Sequence, residues 1–246
     1  MTEALLVNKL KRMPKFLITL LIPLLLTANQ KTHIPDSKRA ADIRTKIWPK
    51  LQGDLKAAGL KDDQPVFIRI FKEPGILEIW VKSGRQYKLF KNYLICAYSG
   101  GLGTKTKDHD GKCPEGYYTV TPAQLNPVST YHLAMNIGYP NAFDQSRGHT
   151  GNAIMIHGYC ASIGCYAMTD PMIEEIYTMV YQAFAHGQKS VDVNIFPFKL
   201  TNANIDKYSN YPYVSFWQHL KPGYDIFEKT HVSPVVGVAN KNYSFR

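Results

Sequence analysis

The sequence predicts a mainly β domain with helices at its periphery. Apolar and polar residues alternate with a period of two through much of 65–98, which is typical of half-buried strands. Two other stretches, 36–60 and 170–186, repeat apolar residues at helical spacing. A further apolar run of strand type ends at His157-Gly158, where glycine permits a sharp turn. Strands with flanking helices over this length predict one large domain with a sizeable core.

The N-terminal residues 1–28 have the pattern of an export signal. Basic residues precede an apolar stretch from Phe16 to Leu26, which is short for a membrane span. Leu26 is not a small residue, so the cleavage site before Asn29 is imperfect, and the segment is interpreted as a signal peptide or an uncleaved N-terminal anchor. No cysteine follows the apolar stretch, which argues against a lipoprotein. We therefore expect the rest of the chain to lie outside the cytoplasm.

Residues 29–64 are predicted to form a helical appendage. Asp36 or Ser37 can cap a helix here, and Gly59 can end it. Pro49 lies inside the apolar repeat, so we expect it to divide the segment into two short helices.

Strands follow in the next part of the chain. Val66–Ile70, Ile76–Val81 and Tyr87–Tyr98 alternate as strands, and glycine-containing turns at residues 74–75 and 83–84 join them. A polar, glycine-rich stretch from Ser99 to Gly116 comes next. No Gly-Lys-Ser/Thr and no strand–loop–helix context accompany its glycines, so a phosphate-binding loop is not indicated.

The remaining elements alternate between strands, loops and helices. Asp170 can cap a helix, Pro171 suits its first position, and Gly187 can stop it. The other predicted elements are strands at 117–122, 134–138, 191–195 and 235–238, a polar loop at 141–152, and short helices in 201–229 with Phe216, Trp217 and Leu220 buried.

One short stretch carries a candidate for covalent catalysis. Gly164 and Cys165 follow His157 after a loop of seven residues, which is long enough to fold back and bring the thiol to the imidazole. A base that makes thiolate and a cysteine that forms an acyl-enzyme are what thiol catalysis requires. Cys165 and His157 are therefore candidates for nucleophile and base, although a cysteine in such a pair is more often an inert packing residue. The motifs around them favour the catalytic interpretation.

Several motifs in the same order resemble one known family. Ser162-Ile163-Gly164-Cys165 after a strand-ending His157-Gly158 resembles the signature of the L,D-transpeptidase catalytic domain, the YkuD family. Cys113 to Tyr118 resembles the family's Thr-Pro-x-Gly-x-Tyr/Phe segment. Ser99 to Gly103 and Asn136 to Asn141 resemble a narrower branch, the YafK-type proteins of Gram-negative bacteria. The resemblance covers roughly residues 65 to 240.

The resemblance implies a fold and a domain plan. It implies a mixed β-sheet or sandwich of the YkuD type that carries a Cys–His catalytic loop. The catalytic domain is expected at 65–200 and a C-terminal helical extension, with a possible last strand, at 201–246. It also implies residence in the periplasm.

The resemblance also implies roles for site residues. Cys165 attacks a peptide carbonyl and forms a thioester, and His157 takes the thiol proton and returns it to the leaving amine. The backbone N–H groups of Gly164 and Cys165 would meet the oxyanion. Ser162 would orient His157 or shape the turn, as Gly158 does. The resemblance alone carries a list of substrate-binding candidates: Tyr117, Tyr139 and Asn141.

The implied substrate is the peptide stem of peptidoglycan, cut or joined at meso-diaminopimelate. No metal, nucleotide or other cofactor is implied. The second partner could be another stem, a wall-linked lipoprotein or water. The formal net charge is +10 and the positive residues are dispersed, so a nucleic-acid partner is not predicted. Membrane contact is expected only through an uncleaved leader.

Two departures from the family pattern affect the predicted reaction. Ile163 and Ala167 stand where typical members carry His and Arg, and the His-to-Cys spacing is shorter. Arg would hold a carboxylate through its bidentate fork. We therefore expect poor use of an ordinary second stem as acceptor. The resemblance to the YafK-type branch implies an amidase that cuts peptidoglycan–lipoprotein links with water, and we favour this reaction. True transpeptidation stays the alternative, with Lys105 or Lys107 replacing the Arg.

The four cysteines leave other interpretations open. Cys113–Cys160 is a conceivable disulfide, while Cys96 is most simply a small buried residue. A zinc site is a further interpretation, but its possible ligands lack the paired spacing that is usual in such sites. These ligands would be His109, Cys113, His157, Cys160 and Cys165. A thiol–disulfide oxidoreductase lacks Cys-x-x-Cys. A non-catalytic wall-binding module is the remaining class, although it would be expected to have lost Cys165 or His157.

Overall fold

The structure is a computed structural model that describes residues 33–246, and the predicted leader lies outside the described residues. Its larger sheet has five strands: β1 (Val66–Phe71), β2 (Ile76–Ser83), β3 (Gln86–Leu94), β4 (Gly116–Val120) and β9 (Val191–Phe196). Their spatial order is β3-β2-β1-β9-β4. Only the β1–β9 pair within this sheet is parallel, with Ile68 opposite Val193.

A smaller sheet carries the end of the apolar run that the sequence analysis singled out. It consists of β5 (Leu125–Asn126), β6 (Ala134–Asn136), β7 (Met155–His157) and β8 (Tyr166–Ala167), paired in that order. β7 and β8 run parallel, with His157 opposite Ala167. The last two strands, β10 (Val236–Ala239) and β11 (Asn242–Phe245), form a separate hairpin.

Five α-helices accompany the sheets in the described residues. They are α1 (Lys38–Ala57), α2 (Ala142–Ser146), α3 (Asp170–Ala185), α4 (Asn202–Lys207) and α5 (Val214–Thr230), and a 3-10 turn spans Pro122–Gln124. Within residues 33–246, no helix combines the length and the apolar character that crossing a membrane requires. The predicted mixed sheets with peripheral helices are confirmed. Where short helices were expected in 201–229, the structure has the short α4 and the 17-residue α5.

The prediction that Pro49 divides the first helix was wrong. Residues 38–57 form one helix that contains Pro49, and the Ser37 hydroxyl accepts the Ala40 N–H as its N-cap. A proline inside a helix costs about 3 kcal/mol. Leu51 and Leu55 follow Pro49 and are fully buried, so the packing of the second half of the helix offsets that cost.

The large sheet separates two cores. The main core collects residues of α1, α3, the smaller sheet and one face of the larger sheet, such as Ile70, Ile156 and Ile195. The second core contains Phe71, Phe196 and two aromatic residues of α5, Trp217 and Tyr224, and a small separate cluster joins Phe227 of α5 to Phe67 and Trp80. Neighbouring strand residues thus enter different cores, which explains why all six residues of β1 are buried.

Candidate active site

The loop between β7 and β8 positions the predicted nucleophile and base. His157 is the last residue of β7, and Cys165 directly precedes β8. Cys165 lies in the bend before β8, two residues before Ala167, which pairs with His157. It therefore lies beside Met155 at the start of β7, two residues before His157.

The Cys165 thiol lies against the chain that enters β7. Its sulfur accepts the Met155 N–H at 3.4 Å and approaches the carbonyl oxygen of Ala153 at 3.8 Å. The residue is partly buried. Among the hydrogen bonds of residues 33–246, none joins this thiol to the His157 ring, as is common where catalytic contacts tighten on substrate binding.

The tautomer of His157 follows from its hydrogen bond. Nδ1 lies 2.5 Å from the carbonyl oxygen of Gly158, and a carbonyl can only accept. Nδ1 therefore carries the proton, which leaves the lone pair of the neutral ring on Nε2. The ring is 3% exposed, and the Tyr131 ring lies over it with 4.8 Å between centroids. An ordered Nε2 lone pair is what a general base requires.

Burial controls the protonation of both groups. Desolvation lowers the pKa of His157 from its ordinary 6.5, partly opposed by the Gly158 carbonyl. Desolvation also raises the pKa of the Cys165 thiol from 9.0, while the Met155 N–H and the Lys105 charge oppose that rise. The resting pair is therefore neutral thiol and neutral imidazole at neutral pH.

Ser162 builds the turn before Cys165. Its hydroxyl donates to the Cys165 carbonyl at 2.6 Å and accepts the N–H groups of Gly164 at 3.2 Å and Cys165 at 2.9 Å. The geometry supports the turn-shaping role of Ser162 rather than contact with His157. Gly164 has φ +144°, a backbone conformation that favours glycine.

The predicted oxyanion donors are not free in this structure. Both N–H groups, of Gly164 and Cys165, already serve Ser162, so an oxyanion would have to displace that hydroxyl to use them. Gly158, the other predicted turn residue, donates its N–H to the carbonyls of Tyr131 and Leu133 and fixes the end of β7.

The three substrate-binding candidates have structural partners. Tyr117 belongs to the second core, on the opposite face of the large sheet from β7, and its hydroxyl donates to the Leu220 carbonyl. The Tyr139 hydroxyl lies 3.2 Å from the Thr150 carbonyl oxygen. Asn141 caps α2 and donates to the Tyr117 carbonyl. Their role in binding substrate stays a prediction without support from their placement.

The disulfide differs from the one considered from the sequence. Cys96 pairs with Cys160, with 5.4 Å between their Cα atoms, and Cys113 is free and buried. The interpretation of Cys96 as a lone buried residue was therefore wrong. Because Cys160 is in a disulfide, the zinc interpretation loses one of its ligands, and the oxidoreductase interpretation loses one of its free thiols. In residues 33–246, no cluster of three His, Cys, Asp or Glu side chains is suited to a metal.

A buried ion pair beneath the site was missed from the sequence. Lys72 and Glu115 are both fully buried and lie 3.1 Å apart. The Lys72 ammonium also donates to the carbonyls of Gly103 and Cys113, and Glu115 accepts the Gly103 N–H. The Cys113 thiol in turn donates to the Cys165 carbonyl at 3.2 Å. The pair thus connects the glycine-rich loop to the segment beneath Cys165. The signal for it in the sequence is a charged residue, Lys72, directly after the β1 strand.

Lys105 is buried close to the site but is already paired. Its ammonium donates to the Asp110 carboxylate at 2.9 Å and to the Lys107 carbonyl at 2.8 Å. Its Cε lies next to Gly151, two residues before the carbonyl that Cys165 approaches. The positive charge of Lys105 therefore acts on the Cys165 thiol through electrostatic attraction, while its ammonium is hydrogen-bonded to Asp110 and to the Lys107 carbonyl.

Most of the chain matches one family of proteins by sequence. Residues 70–226 match the L,D-transpeptidase catalytic domain (YkuD). The chain belongs to this family, which gives it a peptidoglycan-related function of the L,D-transpeptidase type.

The chain is similar to YafK from Escherichia coli strain K12, which is named provisionally as an L,D-transpeptidase. The two are 52% identical over 181 residues, 73% of each chain, and YafK from strain O157:H7 matches equally. The solved structure of the helical cell shape determining protein Pgp2 from Campylobacter jejuni is 18% identical, with a TM-score of 0.44, covering 77% of this chain and 80% of that one. Bd1075 of Bdellovibrio bacteriovorus is 19% identical, with a TM-score of 0.41, covering 72% and 78%.

Proposed function

We propose that this protein is a cysteine enzyme that acts on peptidoglycan peptide stems at meso-diaminopimelate through a thioester on Cys165. The observation that carries the proposal is the loop between β7 and β8, which holds a partly exposed thiol beside Met155, two residues before a histidine whose Nε2 carries the lone pair. His157 takes the thiol proton as sulfur attacks the carbonyl, and it returns the proton to the nitrogen of the leaving amine.

The second half of the reaction is hydrolysis in our proposal. An acyl-thioester transfers to whichever nucleophile is held in attack geometry, and positioning an amine requires a dedicated binding group. The place of the family's Arg is taken by Ala167, which is fully buried. Lys105 is engaged by Asp110 and the Lys107 carbonyl, so it is poorly placed to substitute for that Arg. Water is therefore the favoured acceptor.

The favoured bond is the amide between the stem and a wall-linked lipoprotein, so that the enzyme acts as an amidase. Transpeptidation, which would join stems or attach the lipoprotein, is the alternative. The exposed Lys107 keeps that alternative open, because its side chain can still approach a substrate carboxylate.

We propose the periplasm as the place of action. The basic and apolar pattern of the first 28 residues supports export. The Cys96–Cys160 disulfide supports the same compartment, because disulfides persist in oxidising surroundings.

The test supplies lipoprotein-linked muropeptides and free tetrapeptide muropeptides to the purified protein in oxygen-18 water. Hydrolysis puts heavy oxygen into the carboxyl group of the released stem, whereas transpeptidation gives joined stems without label. Cys165→Ala is the control and should give neither product. Joined, unlabelled stems from the wild type would overturn the amidase preference, and no product from any donor would favour a non-catalytic wall-binding module.

A further inference from the structure

An exposed aromatic surface borders His157 and has no part in the chemistry described above. The Tyr131 ring contacts the imidazole and lies 6.2 Å, centroid to centroid, from the ring of Tyr159. Tyr131 is 45% exposed and Tyr159 is 63% exposed. We call these two side chains the aromatic rim. Two large apolar rings left in solvent beside a catalytic base need a reason other than core packing.

The backbone at Tyr159 strengthens this argument. Tyr159 has φ +58°, a left-handed conformation that glycine adopts at lower cost than tyrosine. The exposed ring recovers little of that cost by burial. Strain of this kind, when it lies next to a catalytic residue, points to a functional reason for the side chain.

The backbone that carries the rim is fixed. The Tyr159 N–H donates to the Asp170 carboxylate at 2.8 Å, and the Gly158 N–H donates to the Tyr131 carbonyl at 3.1 Å. Cys160, the next residue, is fixed by its disulfide to Cys96. A fixed backbone lowers the loss of conformational freedom when the rings bind a partner.

The proposed reaction determines which half of a substrate meets the rim. The acyl half is joined to Cys165, while the amine half leaves with a proton from His157. The chain attached to the departing nitrogen must therefore pass the imidazole that the rim borders. Beyond Tyr159, an open groove of about 490 Å³ continues along Ala161, Thr169, Asp170 and Pro171.

We infer that the aromatic rim and this groove bind the amine half of the substrate and select a polypeptide over a single terminal residue. This inference rests on the proposed function and assigns it a specificity determinant. Tyrosine suits that task because it offers a large contact area and a polar tip at low entropic cost.

The test uses two donors with the same acyl stem. In one the scissile amide leads to a polypeptide, and in the other it leads to a single amino acid. The readout is the ratio of kcat/KM for the polypeptide donor to kcat/KM for the short donor, measured on the full chain. Tyr159→Gly suits the left-handed backbone and removes the ring, and it should lower this ratio about tenfold, as loss of an aromatic contact residue does.

Two control variants show whether a change in that ratio is due to loss of the Tyr159 ring. Tyr159→Phe keeps the ring and should retain most of the wild-type ratio. Leu89→Ala removes another exposed apolar side chain, 38% exposed, from the edge strand β3 and should leave the ratio unchanged.

The outcomes separate this inference from the proposed function. If the wild type cleaves both donors and Tyr159→Gly lowers both rates equally, the rim only positions the loop and the inference is overturned. If the wild type cleaves the short donor alone, the amidase assignment and the rim both fail. If it cleaves neither donor, the proposed acyl transfer itself fails.

Discussion

At the scale of residues, the thiol of Cys165 and the imidazole of His157 are both neutral because both are buried. The pKa of Cys165 is raised above 9.0 and that of His157 is lowered below 6.5 by desolvation. In the mechanism that we propose, His157 therefore deprotonates the thiol during attack, and a preformed thiolate–imidazolium pair is not the resting state. This assignment has a measurable consequence in the pH dependence.

We expect the alkylation of Cys165 by iodoacetamide to rise with pH along a single curve whose apparent pKa lies above 9.0. The acid limb of kcat/KM should lie below pH 6.5, since His157 must be neutral to act as base and its pKa is lowered. Mass mapping of the alkylated residue separates Cys165 from Cys113, whose buried thiol has a pKa raised to about 11. A plateau of Cys165 alkylation below pH 6.5 would show a preformed thiolate and contradict this account.

At the scale of elements, the glycine-rich loop is held from below by the Lys72–Glu115 pair. The Gly103 carbonyl accepts a hydrogen bond from Lys72, and the Gly103 N–H donates to Glu115. The φ angle of Gly103 is +99°. A Cβ at this position would collide with the Tyr213 ring. The loop can therefore reach the buried pair only with glycine at this point.

Gly103→Ala is expected to destabilise the fold more than Gly101→Ala. Both glycines have positive φ, so alanine strains each backbone by about 1–2 kcal/mol. Only Gly103 adds the collision with Tyr213, because a Cβ on Gly101 meets nothing within 4 Å. The added cost of overpacking is about 1–3 kcal/mol. Urea unfolding measures the difference, and equal losses in the two variants would refute the tight contact.

Strands and helices were predictable where the spacing of apolar residues determines the type of element. β1, β2, α3 and β9 appear within a few residues of their expected positions, because the period of burial selects strand or helix locally. The expected cap of α3 shifts by one residue: Thr169 is the N-cap, and Asp170 instead accepts the Tyr159 N–H. That exchange depends on the folded position of the loop that contains Tyr159, which a local sequence pattern cannot show.

Other features depended on contacts that are distant in sequence. The short helix α2 interrupts a predicted loop, although Asn141 and Asp144 form a capping box that could have signalled it. The Cys96–Cys160 pairing was not predictable, since four cysteines allow several connectivities. The Cys165 and His157 motif was visible in the sequence, whereas the occupation of the Gly164 and Cys165 N–H groups by Ser162 depends on the folded turn.

At the scale of the whole molecule, the disulfide fastens the catalytic loop to the chain leaving β3. Cys96 follows β3, and its N–H donates to the Ala167 carbonyl of β8. Cys160 lies midway along the loop from His157 to Cys165. The larger sheet and the catalytic loop are thus joined both by a covalent bond and by backbone hydrogen bonds.

The double variant Cys96→Ser/Cys160→Ser should unfold at lower temperature than the wild type. The bridge spans 64 residues, and the chain-entropy argument assigns a loop of that size about 4 kcal/mol. Reductant should lower the melting temperature of the wild type and leave that of the double variant unchanged. A wild type that is indifferent to reductant while Cys96 and Cys160 are shown to be reduced would contradict this role.

The central claim is that Cys165 carries the acyl group, and capture of that intermediate tests it most directly. The full-length protein is mixed with a tetrapeptide muropeptide, quenched in acid within the first turnovers, and measured by intact mass and peptide mapping. The account predicts a hydroxylamine-labile adduct, with the mass of the donor minus its leaving amine, on the peptide that contains Cys165. Product formation that continues in Cys165→Ala, with no adduct on Cys165 of the wild type, would contradict it.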